Sequence, residues 1–195
     1  YTGNTYTNTL KLQGKLKEVT QIGAELVNDD SSAADAEIIA TVIDCFNEIG
    51  ISDFQIEIGQ IDYFKGLVAE SGISEDEENQ IKEYIHIKNF FGLEEYVDAL
   101  DISESLKKAF VAFDSLFGGI SMLDKAEGYV SNETSLEAVK RLRRVYAALE
   151  CYGYQDHISF DLGMLDGYNY YTGIIFRGYT YGTGDAVVKG GRYNN

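Results

Sequence analysis

The chain has 195 residues, 45% of them apolar and 25% charged, which suits a globular domain carrying an inserted subdomain. Its formal net charge of −16 argues against a general nucleic-acid binder, because a phosphate backbone is drawn to basic patches. No run of about 18 apolar residues occurs and the opening residues lack a signal-peptide pattern, so neither a membrane span nor secretion is expected.

The first 27 residues predict two strands around a polar turn. Tyr1–Thr9 is rich in Thr and Tyr, and Gly14 sits at a plausible turn. Glu18–Leu26 alternates, with Val19, Gln21, Gly23 and Glu25 on one face and Thr20, Ile22, Ala24 and Leu26 on the other. This pattern predicts a strand packed on one side and wet on the other. A helix follows over 31–49, where Ser32 and Asp35 have capping-box spacing and Ile38, Ile39, Val42, Ile43, Phe46 and Ile49 recur at helical intervals. Gly50 stops it. Residues 54–58, FQIEI, read as a strand with Phe54, Ile56 and Ile58 inward, and 60–71 as a short helix.

Residues 73–130 change character. An acidic SEDEE leads into helices over 76–90, 93–100 and 103–117 with no strand, so 73–130 reads as a helical insertion subdomain. The remainder, 1–72 and 131–195, forms an α+β core. In it, 131–151 is a long helix with Leu136, Val139, Leu142, Val145 and Leu149 on one stripe. HISFDLGM, 157–164, alternates as a strand, a turn follows at 166–169, and another strand is expected from Tyr170 to Tyr181. GTGD then turns the chain into AVVKGGRY. Short turns between these strands predict antiparallel pairing, hence an antiparallel sheet flanked by helices. The opening on YTGNT, the close just after an apolar run, and the lack of any proline suggest a piece of a longer polypeptide.

Several groups are candidates for chemistry. Gln21 and Glu25, four apart on one strand face, would project about 13 Å apart along it, as an amide and a carboxylate suited to a ligand with an ammonium and a polar ring. A solvated sheet face is the plainer reading. Tyr170 and Tyr171 would point to opposite faces, one to core and one to a ligand, unless both simply pack. Arg192 in GGRY offers a planar fork for a carboxylate or phosphate, or the two glycines are a bulge at a strand end. KRLRR, 140–144, reads as a solvated helix face. His86 and His157 have no Cys or His at ligand spacing, so no metal and no cofactor are implied. Cys45 and Cys151 are expected as free, buried thiols of a reducing compartment. No GxxxxGK[ST], GxGxxG or GxSxG motif marks a catalytic centre.

Taken in order, QIGAE, the helix beginning DAEII, the helical insertion, SFDLGM, YNYYTGIIF and GGRY resemble one family. It is the histidyl-tRNA synthetase catalytic core together with its paralogue, the regulatory subunit of ATP phosphoribosyltransferase. The resemblance runs over nearly the whole chain. It implies the class II aminoacyl-tRNA synthetase catalytic-core fold, α+β, in a protein that is usually dimeric. It also implies that Gln21, Glu25 and Tyr171 stand where synthetases hold histidine.

Two departures separate the relatives. Thr7 occupies the place of the motif 2 arginine that grips the ATP α-phosphate, and Thr9 that of a nearby glutamate. Asp166 stands where R-G-L-D-Y-Y has its arginine. Adenylation builds negative charge at the α-phosphate, and losing one preorganised donor costs roughly 10²–10³ in rate. A carboxylate in its place repels the phosphate. The resemblance therefore implies a catalytically silent, cytoplasmic subunit that joins the catalytic subunit of ATP phosphoribosyltransferase in a hetero-oligomer for histidine biosynthesis. Such a subunit would pair with itself as a dimer and take L-histidine as an allosteric ligand at Gln21, Glu25, Tyr171 and Arg192. The alternative is a fragment of a divergent histidyl-tRNA synthetase core, an enzyme.

Overall fold

The computed structural model describes residues 1–8, 16–165 and 170–193. The chain divides into two compact units, Tyr1–Asp30 and Ser31–Asn195.

The first unit holds β1 (Thr2–Tyr6) and β2 (Glu18–Ile22), an antiparallel ribbon with Thr2 opposite Ile22 and Tyr6 opposite Glu18. Polar cross-strand bonds tie it together: Thr20 donates to Asn4 at 2.8 Å, and Asn4 and Tyr6 donate to Glu18 at 2.7 and 3.0 Å. Every residue of β2 is exposed, so the expectation of one packed face is not met. The strand also ends at Ile22, three residues short of Glu25.

The second unit is built on a five-stranded sheet. β3 (Phe54–Gln60) lies at its centre, between β5 (Ile158–Asp161) and β6 (Ile174–Thr180). The edges are β4 (Phe117–Gly118) and β7 (Val188–Gly191). The sheet is mixed. β3 runs antiparallel to β6 but parallel to β5, with Ile56 opposite Ile158. β5 and β6 are not neighbours, as short turns had suggested, because β3 is inserted between them. The connection from β3 to β5 instead runs through helices, as a parallel pair requires.

Strand alternation sets the two faces. Phe54, Ile56, Ile58, Ile158, Phe160 and Phe176 are buried on one of them. That face is covered by α1 (Ser32–Glu48) and α7 (Glu133–Tyr152), whose Phe46 and Tyr146 rings meet Phe54 and Phe160 with centroids 4.9 and 5.9 Å apart. α1 begins one residue earlier than the capping-box spacing indicated. Ser31 is the N-cap, accepting from the Ala34 amide at 3.1 Å, which leaves Asp35 for another task. Along α7, Val139, Leu142, Val145 and Leu149 are fully buried, and each such side chain contributes roughly 1.5–3 kcal/mol.

α2 (Ile61–Ser71) packs on α7 at Gly66, where a Cβ would collide with Ser135 and Asn132. Buried Ser135 donates to the Tyr63 carbonyl at 2.8 Å, and the Tyr63 hydroxyl donates to the Ala126 carbonyl at 2.9 Å. Burial pushes the Tyr63 hydroxyl pKa well above its usual value.

Residues 73–130 form α3 (Glu75–His86), α4 (Phe90–Asp98), α5 (Glu104–Val111), a 3₁₀ turn over Ala112–Asp114, β4 and α6 (Met122–Gly128). The expected helix over 103–117 thus ends early, and its last residue enters a strand. β4 pairs with β5 and brings Phe117 opposite Asp161. Ile81, Leu93, Phe110 and Leu123 of this block share one core with α1, α2 and α7. Cys45 and Cys151 are free but exposed rather than buried, since both lie near helix C-termini off the apolar stripes. Among the described residues, no helix is long and apolar enough to cross a membrane.

Candidate functional site

The site residues expected from sequence fall in both units. Gln21 lies on β2 opposite Gly3, and its amide donates to the Tyr1 hydroxyl at 3.2 Å. The Tyr1 ring occupies the space a side chain at Gly23 would fill, and the backbone groups of Tyr1 and Gly23 exchange bonds of 2.8 and 3.0 Å. Glu25 is exposed and lies beyond the strand, so the spacing expected along one strand face does not apply. Thr7, expected from the resemblance at the motif 2 arginine position, is exposed, and its amide donates to the Lys17 carbonyl at 2.8 Å. Thr9 and Asp166 lie outside the described residues.

In the second unit, the sheet face turned away from α1 and α7 is covered at Ile175 by Ile61 and Met164 and open farther along, at Glu57, Arg177 and Lys189. Ile175 and Arg177 of β6 point to it, as do their register partners Gly191 and Lys189 of β7. Tyr171 sits at one end of this face. Its ring lies against Gly191, where an added Cβ would come within 2.7 Å of Cδ1, and it packs with Ile61, Met164 and Ile175. The expected strand from Tyr170 begins only at Ile174, so Tyr170 and Tyr171 do not alternate across a sheet. They touch edge to face, with centroids 5.0 Å apart, and Tyr170 also meets the Tyr193 ring at 5.2 Å. Tyr170 is 54% exposed, not core.

The structure brings Tyr171 and Arg192 together through the backbone. The Thr172 amide donates to the Arg192 carbonyl at 2.8 Å, and the Arg192 amide donates to the Ile174 carbonyl at 2.7 Å. The Arg192 guanidinium reaches Asp35 of α1, with Nε and Nη2 at 2.9 and 2.8 Å from Oδ1. Arg141 of α7 grips the other oxygen, Nε and Nη2 both 2.8 Å from Oδ2. Of the KRLRR run, Arg143 and Arg144 behave as a solvated face should, pairing with Asp124, Glu127 and Glu137, whereas Arg141 turns inward.

Met164, against which Tyr171 packs, also lines a cleft of about 960 Å³. Glu57 of β3, Arg177 and Lys189 line it together with Asp161 and Lys88. Glu57 faces Arg177 across the strands, and Lys88 pairs with Asp161 at 3.2 Å. Burial raises the Glu57 carboxyl pKa above its ordinary value, the Asp161 charge raises it further, and Arg177 and Lys88 oppose both. Sequence reasoning did not single out this group. Its only signal was the polar half of two alternating strands, Gln55 and Glu57 in one and Arg177 and Tyr179 in the other. The cleft offers both charge signs and the aromatic side chains Phe90, Phe117 and Tyr179, which suits binding of a polar ligand.

A model of the histidyl-tRNA synthetase family matches residues 1–195. The ATP phosphoribosyltransferase regulatory subunit of Acetivibrio thermocellus is 43% identical over 194 residues, covering 100% of this chain and 46% of that protein. A crystal structure described as an ATP phosphoribosyltransferase regulatory subunit/histidyl-tRNA synthetase from Bacillus halodurans superposes with a TM-score of 0.89 at 32% identity. It covers 99% of this chain and 50% of that one. The ATP phosphoribosyl transferase complex of Thermotoga maritima gives a TM-score of 0.78 over 100% of this chain and 67% of that one. At 19% identity, that match speaks to the fold alone. The chain spans about half the length of the curated relatives it matches.

Proposed function

The chain belongs to the histidyl-tRNA synthetase family, and within it we propose that it is part of a regulatory subunit of ATP phosphoribosyltransferase. The observation that carries this reading is the 43% identity to such a subunit along the full chain. In this reading the protein joins a short catalytic subunit, and also pairs with itself, in a cytoplasmic hetero-oligomer. The assembly condenses ATP with phosphoribosyl pyrophosphate in the first step of histidine biosynthesis, under feedback control by histidine. The subunit performs no adenylation, because Thr7 and Asp166 stand where the family's arginines meet the ATP phosphate.

Histidine recognition falls to Gln21, Glu25 and Tyr171, the residue types retained from the synthetase pattern. Glu25 attracts the ammonium, and Gln21 and Tyr171 hydrogen-bond polar atoms. Arg192 is the fourth member of the set, its guanidinium held by Asp35 and its carbonyl bonded to the Thr172 amide next to Tyr171.

The test uses the full-length protein. Co-expression with the short catalytic subunit should yield a complex with histidine-inhibited condensation activity, and the protein alone should give no histidine-dependent ATP–pyrophosphate exchange. Exchange activity would instead identify an adenylating synthetase. In calorimetry, Glu25→Ala with Tyr171→Phe should weaken histidine binding at least tenfold; undiminished affinity would remove these residues from the site.

A further inference from the structure

We propose that Asp35 is a positioning residue for Tyr171 of the proposed histidine site, a clamp through which α1 and α7 hold the backbone that carries Tyr171. This rests on the reading of Tyr171 as a ligand-facing residue. Asp35 is the first link. Its side chain is 5% exposed, and each of its oxygens receives a two-pronged grip from a different arginine, Arg141 on Oδ2 and Arg192 on Oδ1. Those arginine side chains are themselves only 17% and 12% exposed. Two forked, charge-assisted pairs on one carboxylate fix orientation as well as distance.

Arg192 carries the constraint to Tyr171. Its Nη2 also donates to the carbonyl of Ser31, the α1 cap, at 3.3 Å. Its stem lies along Gly173, where a Cβ would come within 3.4 Å of Cδ. Its backbone makes the two bonds that close the loop, from the Thr172 amide at 2.8 Å and to the Ile174 carbonyl at 2.7 Å. From the other side, Lys65 of α2 reaches the Tyr171 carbonyl at 3.5 Å, and the Ile61 amide donates to the Gly173 carbonyl at 3.1 Å. Tyr171 precedes the first residue of β6, so it has no strand ladder of its own. These contacts help set its place, and Asp35 anchors the guanidinium that Arg192 brings to them. A cluster of one carboxylate and two arginines carries a net positive charge, so neutralising Asp35 leaves two cations beside each other without the carboxylate that offset half their charge. Arg192, close behind a short edge strand, is the partner released.

The experiment compares Asp35→Asn with the unaltered full-length protein by amide hydrogen exchange and by calorimetry with L-histidine. Asparagine keeps the volume but offers one arginine a donor in place of an acceptor. The amides of Thr172 and Arg192 should exchange at least tenfold faster while the β3 amides do not change, and histidine affinity should fall about tenfold. Unchanged exchange at Thr172 and Arg192 overturns the proposal. A uniform rise through β3 and α7 overturns it too, because Asp35 then serves global stability only. If Asp35→Asn does not fold, Arg192→Lys, which keeps the charge and loses the fork, is read by the same criteria. If the unaltered protein binds no histidine, the reading of the ligand fails, while the exchange comparison still decides the clamp.

Discussion

At the scale of single residues, the charges that matter are those the sheet holds half out of water. Glu57 illustrates this. Its carboxyl titrates above the ordinary 4.5, first through burial and then through Asp161. The folded state therefore holds a proton that the unfolded chain has released, and stability contributed by this group falls as pH rises from 4.5 through the folded value. Glu57→Gln removes that loss. Urea midpoints of the variant and the parent should be close in acid and diverge in the variant's favour toward neutrality; parallel profiles would refute it. Asp35 makes the complementary point. Sequence spacing paired it with Ser32 in a capping box, a local role, but the N-cap is Ser31, which accepts from the Ala34 amide. No local pattern could reveal that Asp35 meets Arg141 and Arg192, 106 and 157 positions away.

At the scale of elements, the strongly periodic segments were legible and the boundaries were not. α1, β3 and α7 follow directly from their apolar spacing, because burying one face dominates their energetics. β2 and β6 were expected too long, for opposite reasons. Glu18–Leu26 alternates past the point where pairing with β1 ends at Ile22, and the aromatic residues before Ile174 favour strands yet make loop contacts. β4 is two residues long and carries no periodicity; only its pairing with β5 defines it. The contact of α2 with α7 depends on a missing side chain. Gly66→Ala would press a methyl on Ser135 and Asn132, including the Ser135 backbone nitrogen at 2.9 Å, which cannot rotate away. Overpacking of this kind costs about 1–3 kcal/mol, so the melting temperature should drop by several degrees, despite alanine's better helix propensity. An unchanged or raised melting temperature would show that the two helices separate freely.

At the scale of the whole chain, stability is distributed unevenly. The sheet centre in the second unit buries Ile56, Ile58 and Phe160 almost completely, whereas β2 in the first unit is exposed throughout. A two-stranded ribbon has little independent stability. In the 195-residue chain, amides of β3 should open only on global unfolding, and those of β1 and β2 by local opening at far lower free energy. Hydrogen exchange by peptide checks this, and equal protection of the two sheets would contradict it.

The sequence alone determined the α+β class, the faces of the principal helices and strands of the second unit and, through QIGAE, YYTG and GGRY, the family. These are local properties: period, turn chemistry and motif order are written within a few residues of each other. Tertiary structure decided that β5 runs parallel beside β3, that Tyr170 and Tyr171 are neighbours in a loop rather than opposites on a strand, and that Arg192 is held by Asp35. Each depends on chain segments far apart in sequence. Their meeting is fixed by the common core that α1, α7 and the sheet bury together, and no spacing within one segment encodes it.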